Sequence, residues 1–205
     1  ERISEEVLAS RLSYFLWNSP PDEELRDLAA RGALRTELGT QVTRLLDDER
    51  SERFIRSFTR EWLRLDRLEG MTINPNKFRD FTRFVKRDMA EETYHFVSHV
   101  LREGMDLFTL VDADFTVLNQ NLAEFYGIEG VEGVEFRPVQ VAPEQGRGGL
   151  LSHGAFLAGH SDGNEPHPIK RAVWVKEKLL GGSIHCGTHA ARKKSEPRFV
   201  CAASG

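Results

Sequence analysis

The stretch SERFIRSFTREWLRL, residues 51–65, decides the fold class. Phe54, Phe58, Trp62 and Leu65 recur at i, i+4, i+8 and i+11, the period of a helix face and not of a strand. The stripe reads as a buried face rather than an aromatic binding strip. The same period runs outward in both directions. Upstream, Ser4 followed by Glu5 and Glu6 starts a helix with acids in its first turn, and Val7, Leu8, Leu12, Phe15 and Leu16 continue it at helical spacing. NSPPDEELRDLAARG restarts a helix after Pro20 and Pro21, with Gly32 as its stop. TELGTQVTRLLDDERS is a third helix.

Downstream, EGMTINPNKF is a loop by its Gly, Asn and Pro content. A long helix is predicted from about Asp80 to Glu103, ending at Gly104. DLFTLVDAD is a short helical turn, and TVLNQNLAEFYG another helix, closed by Gly127. In GVEGVEFRPVQVA, residues 130–142, Val134, Phe136, Val139 and Val141 suggest a short strand pair or an extended crossover. EQGRGGLLSHGAFLAG is a Gly-rich turn leading into a helix of small residues, and the last helix runs from Pro168 to Leu180. The expectation is a mainly α fold: seven or eight helices in an orthogonal multi-helix bundle, with at most one small β element near 130–142. Residues 1–145 form the first domain, 146–182 a short companion packed on it, and 183–205 an irregular tail.

Bulk properties narrow the function classes. The 205 residues are 40% hydrophobic and 29% charged, with 13 Phe and 3 Trp, enough for a core that needs no metal or disulfide to hold it. A net charge of −4 argues against a general nucleic-acid footprint. No apolar run approaches the ~18 residues of a membrane span. No signal peptide is visible, and a chain starting at Glu1 reads as part of a longer product. The two cysteines, Cys186 and Cys201, both lie near the end. There is no CxxCH, so this segment attaches no c-type haem itself, and there is no CxxC zinc pair. One disulfide between the two cysteines is an option that their spacing does not forecast.

Several blocks carry a family resemblance. LASRLSYFLWNSPPDEELRDLAARGAL resembles the planctomycete-type domain of unknown function that opens with an RLSYFLW…PDxEL helix pair. FTRFVKRDMAEETYHFVSHVL and LVDADFTVLNQNLAEFYGI resemble its later blocks. From Arg147, RGGLLSHGAFLAGHSDGNEPHPIKRAVWVKEKLLGG is similar to the companion cytochrome-associated domain, with its GLL helix, its Ser/His-Pro turn and its KRxxWV…LLG helix. The resemblance covers about residues 1–182 and implies a context: long exported or periplasmic chains that carry a cytochrome-c-like haem module on another domain. It brings no agreed catalytic residues. Such chains usually continue into a proline-rich stretch after LLG, whereas Gly182 here leads into a Cys/His/Lys tail with four basic residues against one acid.

Five of the seven histidines lie between His153 and His189, which singles out 153–167. His153, His160, Asp162, Glu165 and His167 offer imidazole and carboxylate groups that Zn or Fe would accept. The competing account makes SDGN a turn and Pro168 the first residue of a helix, with Glu165 near its positive end. A second candidate is EETYHFVSH: Glu91, His95 and His99 share a helix face, and Glu92 with His95 spells the Glu-x-x-His of di-iron bundles. That site needs a second such motif, which the chain lacks, so a solvated face with Glu–His pairs is the simpler reading. Ser152 beside His153 lacks both the geometry and the GxSxG of a nucleophile. GRGGLL lacks GxxxxGK[ST] and reads as packing geometry. The Arg192–Lys194 run reads as solvated. Lys170, Arg171 and Trp174 form a basic helix with one apolar anchor, suited to docking an acidic redox protein; the plainer reading is a surface helix with a buried Trp.

Two functions from different classes follow. One is a non-catalytic structural or interaction module of a cytochrome-c-linked multidomain protein, whose partners are other domains of the parent chain or a redox protein. The other is a metal-dependent enzyme or electron-transfer site at 153–167, which requires those side chains to converge on one ion. A polymer-binding unit ranks below both.

Overall fold

The computed structural model describes residues 2–183. Cys186, Cys201 and the Arg192–Lys194 run lie outside the described residues. The chain is mainly α, with nine α-helices and one two-stranded antiparallel sheet among the described residues.

Local chemistry sets the helix boundaries. Ser4 and Asp22 each cap a helix by accepting a backbone N–H three residues on, Val7 for α1 (Glu5–Trp17) and Leu25 for α2 (Glu23–Ala30). α1 closes on Asn18 in the left-handed region, and Gly32 turns the chain after α2 at φ 67°. α3 (Leu38–Asp47) and α4 (Ser51–Leu63) follow, then the short α5 (Asp66–Gly70). Thr82 caps α6 (Arg83–Arg102).

Leu16, Trp17, Leu25, Leu28, Leu34 and Leu45 form a buried cluster that joins α1, α2 and α3. Trp17 is placed twice over: its Nε1–H donates to the Leu45 carbonyl at 2.8 Å, and the Arg50 guanidinium lies 3.4 Å over its ring. α6 runs through the centre and packs against α3, α4, α5 and later elements. It is buried well beyond a single stripe: Val85, Met89, Phe96, Val97 and Val100 are buried, and so are Asp88, Glu92 and Thr93.

The aromatic row of α4 is where the structure departs from the expected burial. The helix forms, but the row facing the core is Ile55, Thr59 and Leu63. Phe54, Phe58 and Trp62 stack along the neighbouring row, with centroids 5.7 and 5.5 Å apart, and Phe15 of α1 extends the ladder at 4.7 Å. Phe58 is 43% exposed and Phe15 is 63% exposed. Two adjacent rows at i, i+4 and i+8 are both rich in bulky groups. Periodicity establishes the helix but does not say which row turns inward.

A second difference concerns residues 115–118. Phe115–Leu118 is strand β1, not the start of a helix, and α7 (Gln120–Tyr126) begins only after Asn119, whose side chain accepts the Leu122 N–H at 2.9 Å. The expected β element is present as β2 (Arg137–Gln140), but its partner is β1, with Phe115 opposite Gln140 and Leu118 opposite Arg137. All four β1 residues are buried, while β2 is mostly exposed and carries Pro138, as an edge strand can.

A glycine pair ties the following turn to the sheet. A Cβ at Gly148 would sit 1.9 Å from the Ala113 carbonyl oxygen, and one at Gly149 would sit 2.2 Å from that of Val111. α8 (Gly154–Gly159) then packs against α5 and α6. The boundary between two compact units falls between His167 and Pro168. The second unit holds α9 (Pro168–Trp174), which continues into a π-helical stretch, Val175–Leu179.

Candidate functional site

α6 turns a carboxylate into the core at Glu92, which is 1% exposed. An ionised carboxylate survives there only if its lone pairs are met. Both oxygens are engaged: Oε1 accepts the Thr116 hydroxyl of β1 at 2.8 Å, and Oε2 accepts the Tyr126 hydroxyl of α7 at 2.7 Å. The same Tyr126 oxygen accepts the Gly154 N–H at the start of α8 over 3.1 Å. Burial and the Glu92 carboxylate push the Tyr126 phenol well above its ordinary pKa, so it stays a neutral donor.

His153 completes the cluster. Its Nδ1 lies 3.2 Å from Thr93 Oγ1 and its Nε2 lies 3.5 Å from Thr116 Oγ1. Phe96 meets the ring edge-on at 4.8 Å. Burial lowers its pKa, with the Glu92 charge opposing the shift, so the ring is neutral at pH 7. One turn earlier on α6, Asp88 is equally buried and equally satisfied: Oδ1 accepts from Arg87 at 2.8 and 2.9 Å, and Oδ2 from Asn119 at 3.1 Å and Asn121 at 2.7 Å.

The five candidate ligands of 153–167 go to different places. His153 belongs to the Glu92 network. His160 is buried, with Nδ1 2.9 Å from the Phe156 carbonyl oxygen. Asp162 accepts the backbone N–H groups of Asn164 at 2.8 Å and Glu165 at 2.7 Å, the hydrogen bonds of a side-chain-closed turn. Those bonds hold its carboxyl below the usual pKa, and the His167 imidazole lies 3.3 Å away. Glu165 is exposed at the turn's far side. Among the described residues no group of three or more His, Cys, Asp and Glu side chains is placed to hold a metal ion.

The Glu-x-x-His of α6 also divides. Glu92 points inward. His95 lies on the outer side with Glu91, whose carboxylate forms a two-pronged pair with Arg56 at 2.6 and 3.0 Å. The His95 ring stacks on Phe136 at 4.8 Å. In α9, Trp174 is buried, Lys170 is exposed and Arg171 is half-exposed.

Several concave regions border this interior. A cleft of about 1060 Å³ runs along α4, α5 and α6 and is lined by Arg56, Arg60, Arg64 and Lys86. Several of its cations are already engaged: Arg60 with Glu69 at 2.6 Å, Arg64 with Asp66 at 3.2 Å, and Lys86 with two backbone carbonyls. A smaller pocket of about 320 Å³ adjoins Tyr126 and Arg147, whose guanidinium lies 3.2 Å over the Tyr126 ring.

Residues 3–128 match the family described as PSD4, protein of unknown function (DUF1592). The chain belongs to that family. A second match, to PSCyt3, protein of unknown function (DUF1588), covers residues 147–199, so the two planctomycete-type domains follow one another in the expected order. No curated protein and no solved structure matches the chain. On this division Glu92, Thr116 and Tyr126 lie in the PSD4 segment and His153 and Gly154 in the PSCyt3 segment. The buried network is where the two matched segments meet. Of its members, the sequence singled out His153 and, as half of a different motif, Glu92. Thr93, Thr116 and Tyr126 carried no local signal.

Proposed function

We propose that this PSD4–PSCyt3 chain is a non-catalytic interaction module of an exported, cytochrome-c-linked multidomain protein. The observation that carries the reading is the closure of Glu92: both carboxylate oxygens are taken by Thr116 and Tyr126, and the adjacent His153 is sealed. The best-equipped acid–base set in the chain is thus used to join two segments. The cytochrome-associated name of the second matched family supports the context. Haem would reside on another domain of the parent chain, because the sequence has no CxxCH. No helix among the described residues is long and apolar enough to cross a membrane. The candidate contact surface for a haem domain is the exposed basic side of α9 at Lys170 and Arg171.

The test is calorimetric titration of this chain with a purified c-type cytochrome domain of the same parent protein. One-to-one association that weakens in a Lys170→Glu, Arg171→Glu double variant supports the module. Lack of association, together with a turnover in the parent protein that Glu92→Gln abolishes without unfolding it, defeats it.

A further inference from the structure

The pocket beside Tyr126 is almost wholly apolar in its walls. Ile73, Phe78, Phe81, Met89, Phe125 and Leu157 are among the residues around a volume of about 320 Å³. That size is at the lower end of small-molecule sites, which are apolar with a few placed polar groups. The placed group here is Arg147. The residue is half-buried, and its guanidinium is stacked on the Tyr126 ring at 3.2 Å. Its one hydrogen bond is a long one, 3.4 Å, to the Ser152 carbonyl. Among the described residues no carboxylate pairs with it, whereas the half-buried Arg44, Arg56 and Arg102 each have an acidic partner. A guanidinium carries five N–H donors, so most of this one's capacity is unspent. Tyr126 cannot complement an anion, since its hydroxyl is committed to Glu92 and Gly154.

We propose that this pocket binds a small amphipathic monocarboxylate, with its apolar body against Phe78, Phe81, Met89 and Leu157 and its carboxylate on the Arg147 fork. A planar carboxylate matches the two parallel N–H groups of a guanidinium. The single cation sets the charge at one. Glu165, which also lines the pocket, disfavours dianions such as a phosphate monoester. The site needs no catalysis and does not depend on the docking role proposed above.

The experiment is an amide-shift NMR titration of the whole chain with octanoate and, separately, with the uncharged isostere octanamide. Octanoate is expected to shift residues around Leu157 and Ala158 and to bind about tenfold or more tightly than octanamide, as one charge-assisted hydrogen-bonded pair would give. Arg147→Met should remove that preference. Ala158→Phe, which fills the pocket and leaves Arg147 in place, should abolish both. Equal binding of the two probes by the native chain overturns the proposal, as do shifts mapping elsewhere or no saturable shift up to about 5 mM. The two-probe comparison decides the matter even if Arg147→Met fails to fold.

Discussion

Tyr126 Oη stands between Glu92 and Gly154, donating to the carboxylate at 2.7 Å and accepting the backbone N–H at 3.1 Å. One oxygen atom thus connects α6, α7 and α8. A Cβ at position 154 would fall 2.4 Å from it and 2.8 Å from Met89, so only glycine lets the three elements approach this closely.

Removing that oxygen leaves a buried carboxylate with half its partners. Tyr126→Phe is expected to destabilise the chain by roughly 1.5–3 kcal/mol, the range for hydrogen bonds to charged groups. Urea unfolding measures it. A midpoint within error of the native value would mean that water replaces the hydroxyl and the network is not a tie.

The two rows of α4 make opposite predictions. Ile55 is fully buried, and Ile55→Ala should cost about 2–5 kcal/mol. Phe58→Ala, at a site 43% exposed, should cost clearly less. Thr59 is buried with its hydroxyl unpartnered among the described residues, so Thr59→Val should be neutral or stabilise by about 1 kcal/mol. Thermal unfolding of the three variants side by side gives the order. Phe58→Ala costing as much as Ile55→Ala would contradict the orientation of the helix.

His153 sets a pH dependence. Its folded pKa lies below the ordinary 6.5, so the unfolded chain takes up a proton that the folded one refuses. Stability from this group is complete above about pH 6.5 and declines as pH falls below it. His95, also lowered by burial, adds in the same sense. A separate decline comes lower, where carboxylates held down by arginines protonate; Asp48, brought to about 2 by Arg50, is the clearest. His153→Gln should flatten the stability profile between about pH 5 and 7 and leave the lower arm unchanged. An unaltered slope in that window would remove His153 as its source.

Glycines with positive φ divide by their surroundings. Gly104 has open space around it, and Gly104→Ala should cost only the left-handed penalty of roughly 1–2 kcal/mol. Gly149→Ala adds a collision with the Val111 carbonyl, and Gly163→Ala one with that of Thr72 at 2.2 Å. These two should lose soluble expression or melt well below Gly104→Ala. Equal melting temperatures for all three would show that the turns relax freely.

Helix existence was legible because caps and stops are local: Ser4, Asp22 and Gly32 act within three residues of themselves. β1 was not. FTVL is four residues long and abuts a true helix, and its partner lies about twenty residues downstream, so local propensity could not separate strand from first turn. The candidate site shows the same limit more sharply. Glu92 stands next to Glu91 on one helix, yet one is sealed in the core and the other pairs with Arg56 at the surface. Their fates depend on Thr116 and Tyr126, which lie 24 and 34 positions from Glu92. The clustering of histidines at 153–167 was real along the chain but not in space, because α8 carries His153 inward to α6 while Asp162 closes a turn around its own neighbours.

The Gly154 contact also has a consequence for assembly. The start of the PSCyt3 segment does to the PSD4 segment what a bound peptide does to a receptor: it offers a backbone N–H, a buried imidazole and a small-residue helix to a polar niche. The stretch 129–146 links the two and is itself held down through β2 on β1, keeping that peptide at an effective concentration on the order of millimolar. A chain cut at Gly146 tests this: the two fragments, mixed, are expected to reassociate through these contacts, and failure to co-elute would show that the connection itself is required.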